Sequence, residues 1–483
     1  MVAENTELAK FSLDNVSPAL EKAYKEIEDL FTISPEVLKT ITAHFITELQ
    51  KGLDQEANIP MIPGWVLDFP TGQETGDYLA IDLGGTNLRV VLVTLKGNSD
   101  FSFTHSKYSL PATMRTADAD DLWDFIADSL EKFIKEKYPG GCASDLPLGF
   151  TFSYPASQDA INMGVLQRWT KGFDIHNVEG HDVVPMLQKA LKARSLPIEV
   201  VALINDTTGT LVASMYSDPE TKMGLIFGTG CNGAYYDFVE NVHKLSGDLP
   251  TDIPSGTPMA INCEYGAFDN ERVVLPLTKY DFKIDEESPR PGQQAYEKMI
   301  AGYYLGEILR LILVDFYKAG LIFAGQDDSK LQQVFIMDTS VPSRIEEEEA
   351  GNTTVIESIF KDELNISTTA AERAIIRRLC ILIGTRAARL SVCGVAAIAQ
   401  KMGYKSGHCA ADGSVFNKYP GFQRRAAVAL SDIFGWSCKL EDNPIKLTAA
   451  EDGSGVGAAV IAALTEKRLK AGLSVGKKHI VSK

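Results

Sequence analysis

The stretch LAIDLGGTNLRVVL, at residues 79–92, decides the fold that we predict for this chain. Two apolar runs flank a turn of small and polar residues, namely Asp82, Gly84, Gly85, Thr86 and Asn87. Adjacent glycines let the backbone take positive φ and bring successive N–H groups close to an anion. The flanking runs are typical of the two strands of a hairpin. The stretch therefore predicts a hairpin whose turn can hold a phosphate, although an ordinary strand-loop-strand explains these residues equally well.

A second stretch, GLIFGTGCNGAYY at residues 224–236, repeats this arrangement. The repeat predicts a duplicated α/β core with one phosphate-binding turn in each half. The spacing Gly228-x-Gly230-x-x-Gly233 also matches the dinucleotide fingerprint, which keeps a nicotinamide-dependent oxidoreductase as an alternative. A Rossmann glycine turn opens a helix, however, whereas the residues after Gly233 have the pattern of a strand.

Composition and charge restrict the class of protein and its partners. The chain has 483 residues, 45% of them apolar and 23% charged, which is typical of a globular protein of about three domains. Its net charge of −17 argues against contact with nucleic acid or an anionic membrane, because those partners attract basic surfaces. We therefore predict no nucleic-acid partner, no membrane and a phosphate site built from local donors.

Cysteine usage and the chain ends predict a cytoplasmic location. The seven cysteines are odd in number and none forms a Cys-x-x-Cys pair, which favours free thiols in a reducing compartment. The first seven residues are acidic and lack the basic and apolar regions of a secretory signal. The apolar run at residues 456–464 is too short to cross a bilayer.

Hydrophobic periodicity predicts the order of helices and strands. Helices are expected at residues 17–50, 121–138, 293–318 and 369–402, and from residues 452–455 to 469. Ser34 before Pro35 is typical of a helix start. Strands are expected within residues 77–110, 146–153 and 198–204. The acidic run at residues 346–349 predicts a solvated loop.

Asp206 is the candidate catalytic residue. It follows the apolar run at residues 200–204 and precedes a helical pattern, so it lies at the end of a strand. Considered alone, an aspartate in this place is more often a helix N-cap than a catalyst. If a hydroxyl substrate lies beside it, the carboxylate would accept the proton while the oxygen attacks a γ-phosphoryl group.

Polar residues elsewhere in the chain suit a polyhydroxylated ligand. Residues 148–155 and 167–173 mix apolar side chains with hydroxyl, amide and cationic groups. For these segments alone, a polar turn with an exposed Trp169 is a slightly better explanation. Glu264 and Glu297, taken singly, are expected to be solvated glutamates.

Together these motifs resemble hexokinases of the fungal type, and the resemblance extends over nearly the whole chain. Seven segments match the family in order: residues 82–89, 148–155, 169–173, 204–210, 228–233, 262–268 and 411–420. Residues 262–265 look more like the fungal hexokinase form than the fungal glucokinase form, which suggests broad hexose use. The resemblance implies an α/β, two-lobed actin-like ATPase (ribonuclease H-like) fold with a deep interlobe cleft. The small lobe would be residues 72–206 and 455–471, and the large lobe residues 1–71 and 207–454.

The resemblance also implies a reaction and a set of site residues. The reaction is ATP-dependent phosphorylation of glucose, fructose and mannose at the 6-hydroxyl, the first step of glycolysis, by in-line transfer with no covalent enzyme intermediate. Asp206 would be the general base, and Arg168 would support the charged site. The implied sugar contacts are Ser153, Thr170, Lys171, Asn205, Asp206, Asn232, Glu264 and Glu297. The implied nucleotide contacts are Asp82, Leu83, Gly84, Gly85, Thr86, Asn87, Lys107, Thr229, Gly302, Ser340, Ser414 and Val415.

Magnesium is expected with the nucleotide, with Asp82 reaching Mg²⁺ through water. An acidic protein must neutralise the triphosphate locally before it approaches Asp206. The expected partners are therefore a hexose and MgATP, and the expected state is a monomer or homodimer. Fungal members often begin with a basic segment whereas this chain begins with an acidic one, which puts the family's nuclear role and dimerisation through that tail in doubt.

Two further hypotheses concern catalytic silence and oxidation. A catalytically silent sugar sensor would be expected to lose the Asp206 base or a phosphate turn, and both are present. Cys231, in the second glycine turn, is expected to be a small core residue, whereas an exposed thiol there would make the enzyme sensitive to oxidation.

Overall fold

The computed structural model describes residue 13 and residues 15–142, 144–170, 172–349 and 352–478. Lys171, a predicted sugar contact, lies outside these described residues. Residues 1–12, on which part of the localisation prediction depends, also lie outside them.

The described chain begins with two amphipathic helices, α1 (Pro18–Phe31) and α2 (Pro35–Asp54). The predicted start at Ser34 is confirmed, because its hydroxyl accepts a hydrogen bond from the Val37 N–H at 3.3 Å. Residues 17–50 thus form two helices rather than one segment. A short strand, β1 (Ile62–Pro63), follows.

The first large sheet contains the opening hairpin at its centre. Its strands run in the order β4-β3-β2-β5-β8, with β2 to β4 antiparallel and β5 and β8 parallel to β2. Their bounds are β2 (Thr75–Leu83), β3 (Asn87–Gly97), β4 (Asp100–Ser109), β5 (Leu146–Thr151) and β8 (Ile198–Ile204). A two-stranded ribbon of β6 (Ala156–Ser157) and β7 (Val165–Leu166) lies beside it.

Alternation along β2 places its side chains in two different cores. Leu79, Ile81 and Leu83 pack with helices α3 (Ala119–Lys137) and α4 (Val183–Ala193) on one face of the sheet. Ala80, between them, belongs to the other core together with the C-terminal helix. Successive side chains of a strand point to opposite faces, so helices cover both sides of this sheet.

The second large sheet repeats the topology of the first. In the described residues its order is β1-β11-β10-β9-β12-β13. The bounds are β9 (Thr221–Phe227), β10 (Cys231–Phe238), β11 (Pro258–Asn262), β12 (Gly407–Asp412) and β13 (Ile445–Ala449). Strands β9 to β11 are antiparallel, and β12 and β13 are parallel to β9. Each half therefore contains an antiparallel three-strand meander followed by two parallel strands, which confirms the predicted duplication.

Helices connect and cover the sheets. Their bounds are α5 (Asp206–Ser217), α6 (Lys279–Glu287), α7 (Ala295–Ile300), α8 (Gly302–Lys318), α9 (Ser340–Glu347), α10 (Thr354–Ser358), α11 (Ala370–Met402), α12 (Ser414–Lys418), α13 (Phe422–Phe434) and α14 (Ala458–Lys470). Helix α11 is the one helix of the described residues long and apolar enough to cross a membrane, but 94% of that apolar window is buried inside the fold. It is therefore a core helix here, packed against α13 and α2.

Two expectations about elements are wrong. The helix expected at residues 293–318 is broken at Ala301, because the Gly302 N–H donates to the Gly228 carbonyl at 2.8 Å instead of continuing the α7 ladder. The acidic run at residues 346–349 is not a solvated loop throughout. The side chains of Glu346 and Glu348 are only 2% and 3% exposed and form ion pairs with Arg425 and Arg377.

Candidate active site

A cleft of about 830 Å³ lies beside the carboxyl ends of β5 and β8. Both halves of the chain line it: Ser153 and Asn205 follow strands of the first sheet, and Glu264 follows β11 of the second. Arg168 and Arg290 add two cations to its wall. The cleft thus gathers hydroxyl, amide and carboxylate groups from segments far apart in sequence.

An amide and carboxylate cluster forms the second-sheet wall of the cleft. Asn232 Nδ2 donates to Asn262 Oδ1 at 2.7 Å and to Glu264 Oε1 at 3.0 Å, and Asn262 Nδ2 donates to Glu264 Oε1 at 2.9 Å. Glu264 has a left-handed backbone (φ 54°), and its N–H donates to Asn232 Oδ1 at 2.9 Å. Glu264 is therefore held in place from both its backbone and its side chain, and it is not a freely solvated glutamate.

Glu297, on α7, lies behind the second glycine turn. Its Oε2 accepts a hydrogen bond from the Cys231 N–H at 2.9 Å. A Cβ on Gly230 would lie 2.7 Å from the same oxygen, so a glycine is required at that approach. Burial, with a smaller contribution from the Glu264 carboxylate, raises the pKa of Glu297 to about 7, although the Cys231 N–H opposes the shift. A carboxyl group that titrates near neutral pH thus lies directly behind the second glycine turn.

Asn205, rather than Asp206, is the N-cap of α5. The Asn205 side chain accepts from the Thr207 N–H at 2.8 Å, so the capping alternative for Asp206 is wrong. Asp206 is the first residue of the helix and is half-buried. Its Oδ1 accepts from the Thr207 hydroxyl at 3.2 Å. Asn205 therefore caps the helix. Asp206 directly follows Asn205 in the chain, and Asn205 lines the cleft.

The segment at residues 167–170 contains a buried tryptophan. Trp169 is 7% exposed, and its indole N–H donates to the Ile175 carbonyl at 3.0 Å, so the expectation of an exposed Trp169 is wrong. Its ring packs edge-on to Tyr154, with centroids 4.9 Å apart. Half-buried Thr170 follows it, while Arg168 lines the cleft itself. Burial and the nearby Arg290 both lower the pKa of Arg168.

The first glycine turn joins β2 to β3 as predicted. The Gly84 N–H donates to the Asn87 carbonyl at 3.0 Å and closes the turn, and Thr86 and Asn87 are exposed on it. Leu83 is buried beneath the turn, and the half-buried Asp82 lies at the end of β2, opposite Thr151 of β5.

The turn at residues 452–457 completes this part of the site, and sequence reasoning did not assign it a role. Asp452 forms a two-point ion pair with Arg89, in which Nη1 donates to Oδ1 at 2.9 Å. The Gly455 N–H also donates to Asp452 Oδ1, at 3.0 Å. In the sequence, an aspartate and three glycines within six residues could have indicated this turn. Lys107, on β4, is the cross-strand partner of Arg89 on the neighbouring strand β3 and is exposed.

A second pocket, of about 370 Å³, lies beside the second glycine turn. Four predicted nucleotide contacts line it together: Thr229, Gly302, Ser340 and Ser414. Val415 is buried, and its Cγ2 would lie 2.9 Å from a Cβ on Gly302. Tyr303 and Phe335, whose rings are 4.9 Å apart, also line the pocket and were missed from the sequence because they belong to no glycine-rich motif.

The structure also bears on the thiol and metal expectations. All seven cysteines are free, and Cys231 is buried at 6% exposure with its pKa raised well above the usual value by burial. Cys231 is therefore a core residue and not an exposed thiol.

The described residues contain no group of three or more His, Cys, Asp or Glu side chains that could hold a metal ion.

Comparisons with known proteins agree with this geometry. Two family models, each described as Hexokinase, match residues 23–216 and 222–464. A hexokinase of Schwanniomyces occidentalis is 66% identical over 96% of this chain and 97% of its own length. Hexokinase-2 of Saccharomyces cerevisiae is 64% identical over 97% of each chain. The solved structure of a hexokinase from Schistosoma mansoni complexed with glucose superposes with a TM-score of 0.81 at 32% identity, covering 92% of this chain and 99% of that one.

Proposed function

The chain belongs to the hexokinase family, with its two-lobed actin-like ATPase fold, and we propose how its residues carry out the family's reaction. The function is ATP-dependent phosphorylation of hexoses, the first step of glycolysis. One observation supports the mechanism best: Ser153, Asn205 and Glu264 line the same cleft, and Asp206 directly follows Asn205.

The sugar binds in the 830 Å³ cleft between the two halves. The proposed contacts are Ser153, Thr170, Lys171, Asn205, Asp206, Asn232, Glu264 and Glu297. Glu264 supports this assignment because the amides of Asn232 and Asn262 hold its carboxylate in a fixed orientation. Fixed acceptors favour glucose, fructose or mannose, because a ligand without the matching hydroxyl leaves a buried polar group unpaired.

Asp206 acts as the general base. It accepts the proton of the sugar 6-hydroxyl while that oxygen attacks the γ-phosphorus of ATP, and the bond from phosphorus to the β-γ bridging oxygen breaks in line. No covalent enzyme intermediate is needed. The capping role of Asn205 supports this assignment, because Asp206 is then not needed to satisfy the helix N-terminus.

ATP binds with its phosphates against the first glycine turn and its adenosine in the 370 Å³ pocket. The proposed phosphate contacts are Asp82, Leu83, Gly84, Gly85, Thr86, Asn87 and Thr229, with Lys107 as an outer contact. Gly302, Ser340, Ser414 and Val415 contact the adenosine. Asp82 would hold the Mg²⁺ that accompanies the nucleotide, through water, and the ion would offset the charge of the triphosphate.

The lobes follow the two sheets. Residues 72–206 and 455–471 form the small lobe, and residues 1–71 and 207–454 form the large lobe. The packing of α14 on β2, β5 and β8 supports placing a C-terminal segment in the small lobe. The enzyme works in the cytoplasm as a monomer or homodimer, and its free, mostly buried thiols agree with a reducing compartment.

Replacement of Asp206 tests the mechanism. Asp206→Asn should lower kcat by about 10²–10⁴-fold, the usual contribution of a general base, while glucose binding stays largely intact. ADP release is measured with Mg²⁺ and each of glucose, fructose and mannose, and glucose affinity by calorimetry. Asp120→Asn is the matched control, because Asp120 is also in the first turn of a helix, but it is exposed on α3.

The same assay separates the competing functions. Near-normal turnover in Asp206→Asn would overturn the general-base assignment. A wild-type protein that binds glucose but releases no ADP above the no-sugar control would instead be a sugar sensor. An oxidoreductase at residues 228–233 would bind a nicotinamide cofactor, but the hairpin β9–β10 at that position argues against it.

A further inference from the structure

A buried glutamate, Glu346, is used by none of the roles described above. Its side chain is 2% exposed near the end of α9. Tyr419 Oη donates to its Oε1 at 2.8 Å, and Arg425 Nη2 donates to its Oε2 at 2.7 Å. A carboxylate removed from water in this way needs partners for both oxygens, and each oxygen has one.

Glu346 connects two elements that line the 370 Å³ pocket, without lining it itself. Ser340 and Ser343, at the start of α9, line the pocket from one element, and Tyr419, which follows α12, lines it from another. Glu346 lies on the same helix as Ser340 and binds the Tyr419 hydroxyl. Its carboxylate is therefore a cross-link between two elements that form the walls of the pocket.

The Tyr419–Glu346 pair packs against Gly384 of the core helix α11. A Cβ on Gly384 would lie 2.6 Å from Tyr419 Cε1 and 2.8 Å from Glu346 Oε1, so the pair fits only against a glycine. About two helical turns earlier, Arg377 donates to the Ile345 carbonyl at 2.9 Å and to the Glu348 carbonyl at 2.6 Å. These bonds satisfy carbonyls at the C-terminus of α9 and fix that end of the helix.

The acid–base chemistry of Tyr419 fixes the direction of its hydrogen bond to Glu346. Burial and the adjacent Glu346 carboxylate raise the pKa of Tyr419 well above its usual value. The phenol therefore stays protonated and donates, while Arg425 balances the carboxylate charge. A buried hydrogen-bonded pair of this kind favours one geometry, because separating Tyr419 from Glu346 costs both groups a bond made away from water.

We propose that Glu346 is a positioning residue for the nucleotide, and that its bonds to Tyr419 and Arg425 set the width of the pocket. The inference rests on the proposed assignment of this pocket to adenosine. Loss of the cross-link lets the walls separate and weakens ATP binding, while the sugar cleft, lined by other residues, keeps its affinity.

Steady-state kinetics of the full chain test this inference. Tyr419→Phe removes one hydrogen bond at nearly constant volume, and Glu346→Gln removes the charge. Gly384→Ala pushes the pair apart from a position that does not itself line the pocket. Each should raise the KM for ATP by about three- to tenfold, the equivalent of one hydrogen bond, with the KM for glucose and kcat within about twofold of wild type. Tyr317→Phe is the matched control, because it removes a similar bond, to the Gln326 carbonyl, at the far end of α8.

A separate variant distinguishes failure of the inference from failure of the pocket assignment. Ser343→Trp fills the pocket directly. If it raises the KM for ATP while Tyr419→Phe and Gly384→Ala do not, the cross-link is overturned and the pocket assignment stands. If none of the variants changes the KM for ATP, both are overturned. Parallel losses in ATP binding, glucose binding and kcat would show general destabilisation and also overturn the positioning role. If Glu346→Gln does not fold, the other two variants decide the result.

Discussion

At the scale of single residues, the site depends on acids whose surroundings differ. Glu264 accepts hydrogen bonds from two amide groups, those of Asn232 and Asn262. Glu297 is largely removed from water, and burial raises its pKa to about 7. Arg290 and Lys298 oppose that shift but do not abolish it. The two glutamates therefore differ: Glu264 is a fixed acceptor in the cleft, and Glu297 is a buried group that titrates near neutral pH.

The buried Glu297 should make stability depend on pH in a predictable direction. Between its ordinary pKa of 4.5 and the raised value of about 7, the folded protein binds more protons than the unfolded chain. The unfolding free energy therefore falls as pH rises through this range, by at most about 3 kcal/mol from this group. Glu297→Gln removes that loss, so its melting temperature relative to wild type should rise from pH 5 to pH 8.

Thermal melts at four pH values in this range measure the difference. Glu136→Gln is the control, since Glu136 is exposed on α3 and should show no such trend. A constant offset between Glu297→Gln and wild type at every pH would contradict the prediction.

Sequence reasoning identified the polar site residues but not their surroundings. The residue types in segments 148–155 and 167–173 suggested a polyhydroxylated ligand, whereas Asn205, Asn232 and Glu264 were assigned to the sugar through the family resemblance. The partners of Glu346 are distant in sequence, since Tyr419 and Arg425 follow it by more than 70 residues. A local run of acids predicts solvation, and only tertiary packing can bury it.

At the scale of elements, the two glycine turns hold different neighbours. The turn at residues 84–87 is exposed at Thr86 and Asn87, whereas the backbone of the turn at residues 228–230 is hydrogen-bonded to the start of α8. The Gly302 N–H donates to the Gly228 carbonyl at 2.8 Å, and the Tyr303 N–H donates to the Thr229 carbonyl at 3.2 Å. Periodicity predicted one helix here because residues on both sides of Ala301 are helical, and the break arises from this long-range backbone contact.

The close approach of Gly302 predicts a selective loss of nucleotide binding. In Gly302→Ala the new Cβ would lie 2.9 Å from the Gly228 carbonyl oxygen and 2.9 Å from Val415 Cγ2. Overpacking of this kind costs at least about 1 kcal/mol, and we expect the KM for ATP to rise about tenfold. The KM for glucose should stay near the wild-type value. Gly140→Ala is the control, since a Cβ there meets nothing within 4 Å. Equal increases in both KM values would contradict the selective effect.

At the scale of the whole molecule, the chain crosses between its two sheets through closely packed glycines. A Cβ on Gly209 of α5 would lie 2.3 Å from the Gly453 carbonyl oxygen, and one on Gly457 would lie 2.1 Å from the Gly209 carbonyl oxygen. The repeated hairpins predicted the duplicated core, but single-sequence patterns could not give this crossing, because its contacts join residues more than 240 positions apart. Backbones in direct contact make a narrow connection on which the two halves can rotate.

The C-terminal segment provides a second connection between the halves. The Ser474 N–H donates to Asp252 Oδ2 at 2.6 Å, and the Lys478 N–H donates to the Asp248 carbonyl at 2.9 Å. Between them, the Val475 carbonyl accepts from the Ile161 N–H at 3.0 Å. Because this segment bonds to both sides, motion is expected to close the opposite, open side of the cleft.

Sugar binding is therefore expected to close the cleft. Ser153 and Asn205 approach the ligand from one half and Glu264 from the other, so a bound hexose gains its full set of hydrogen bonds only when the halves come together. Closure also excludes water, which could otherwise take the place of the sugar hydroxyl and hydrolyse ATP. Small-angle scattering should show a smaller radius of gyration with saturating glucose than without it. Asp206→Asn should show the same decrease, because it removes the proton acceptor and keeps the sugar site, whereas Glu264→Ala should need far more glucose to reach it. Equal radii of the wild-type protein with and without glucose would contradict the closure.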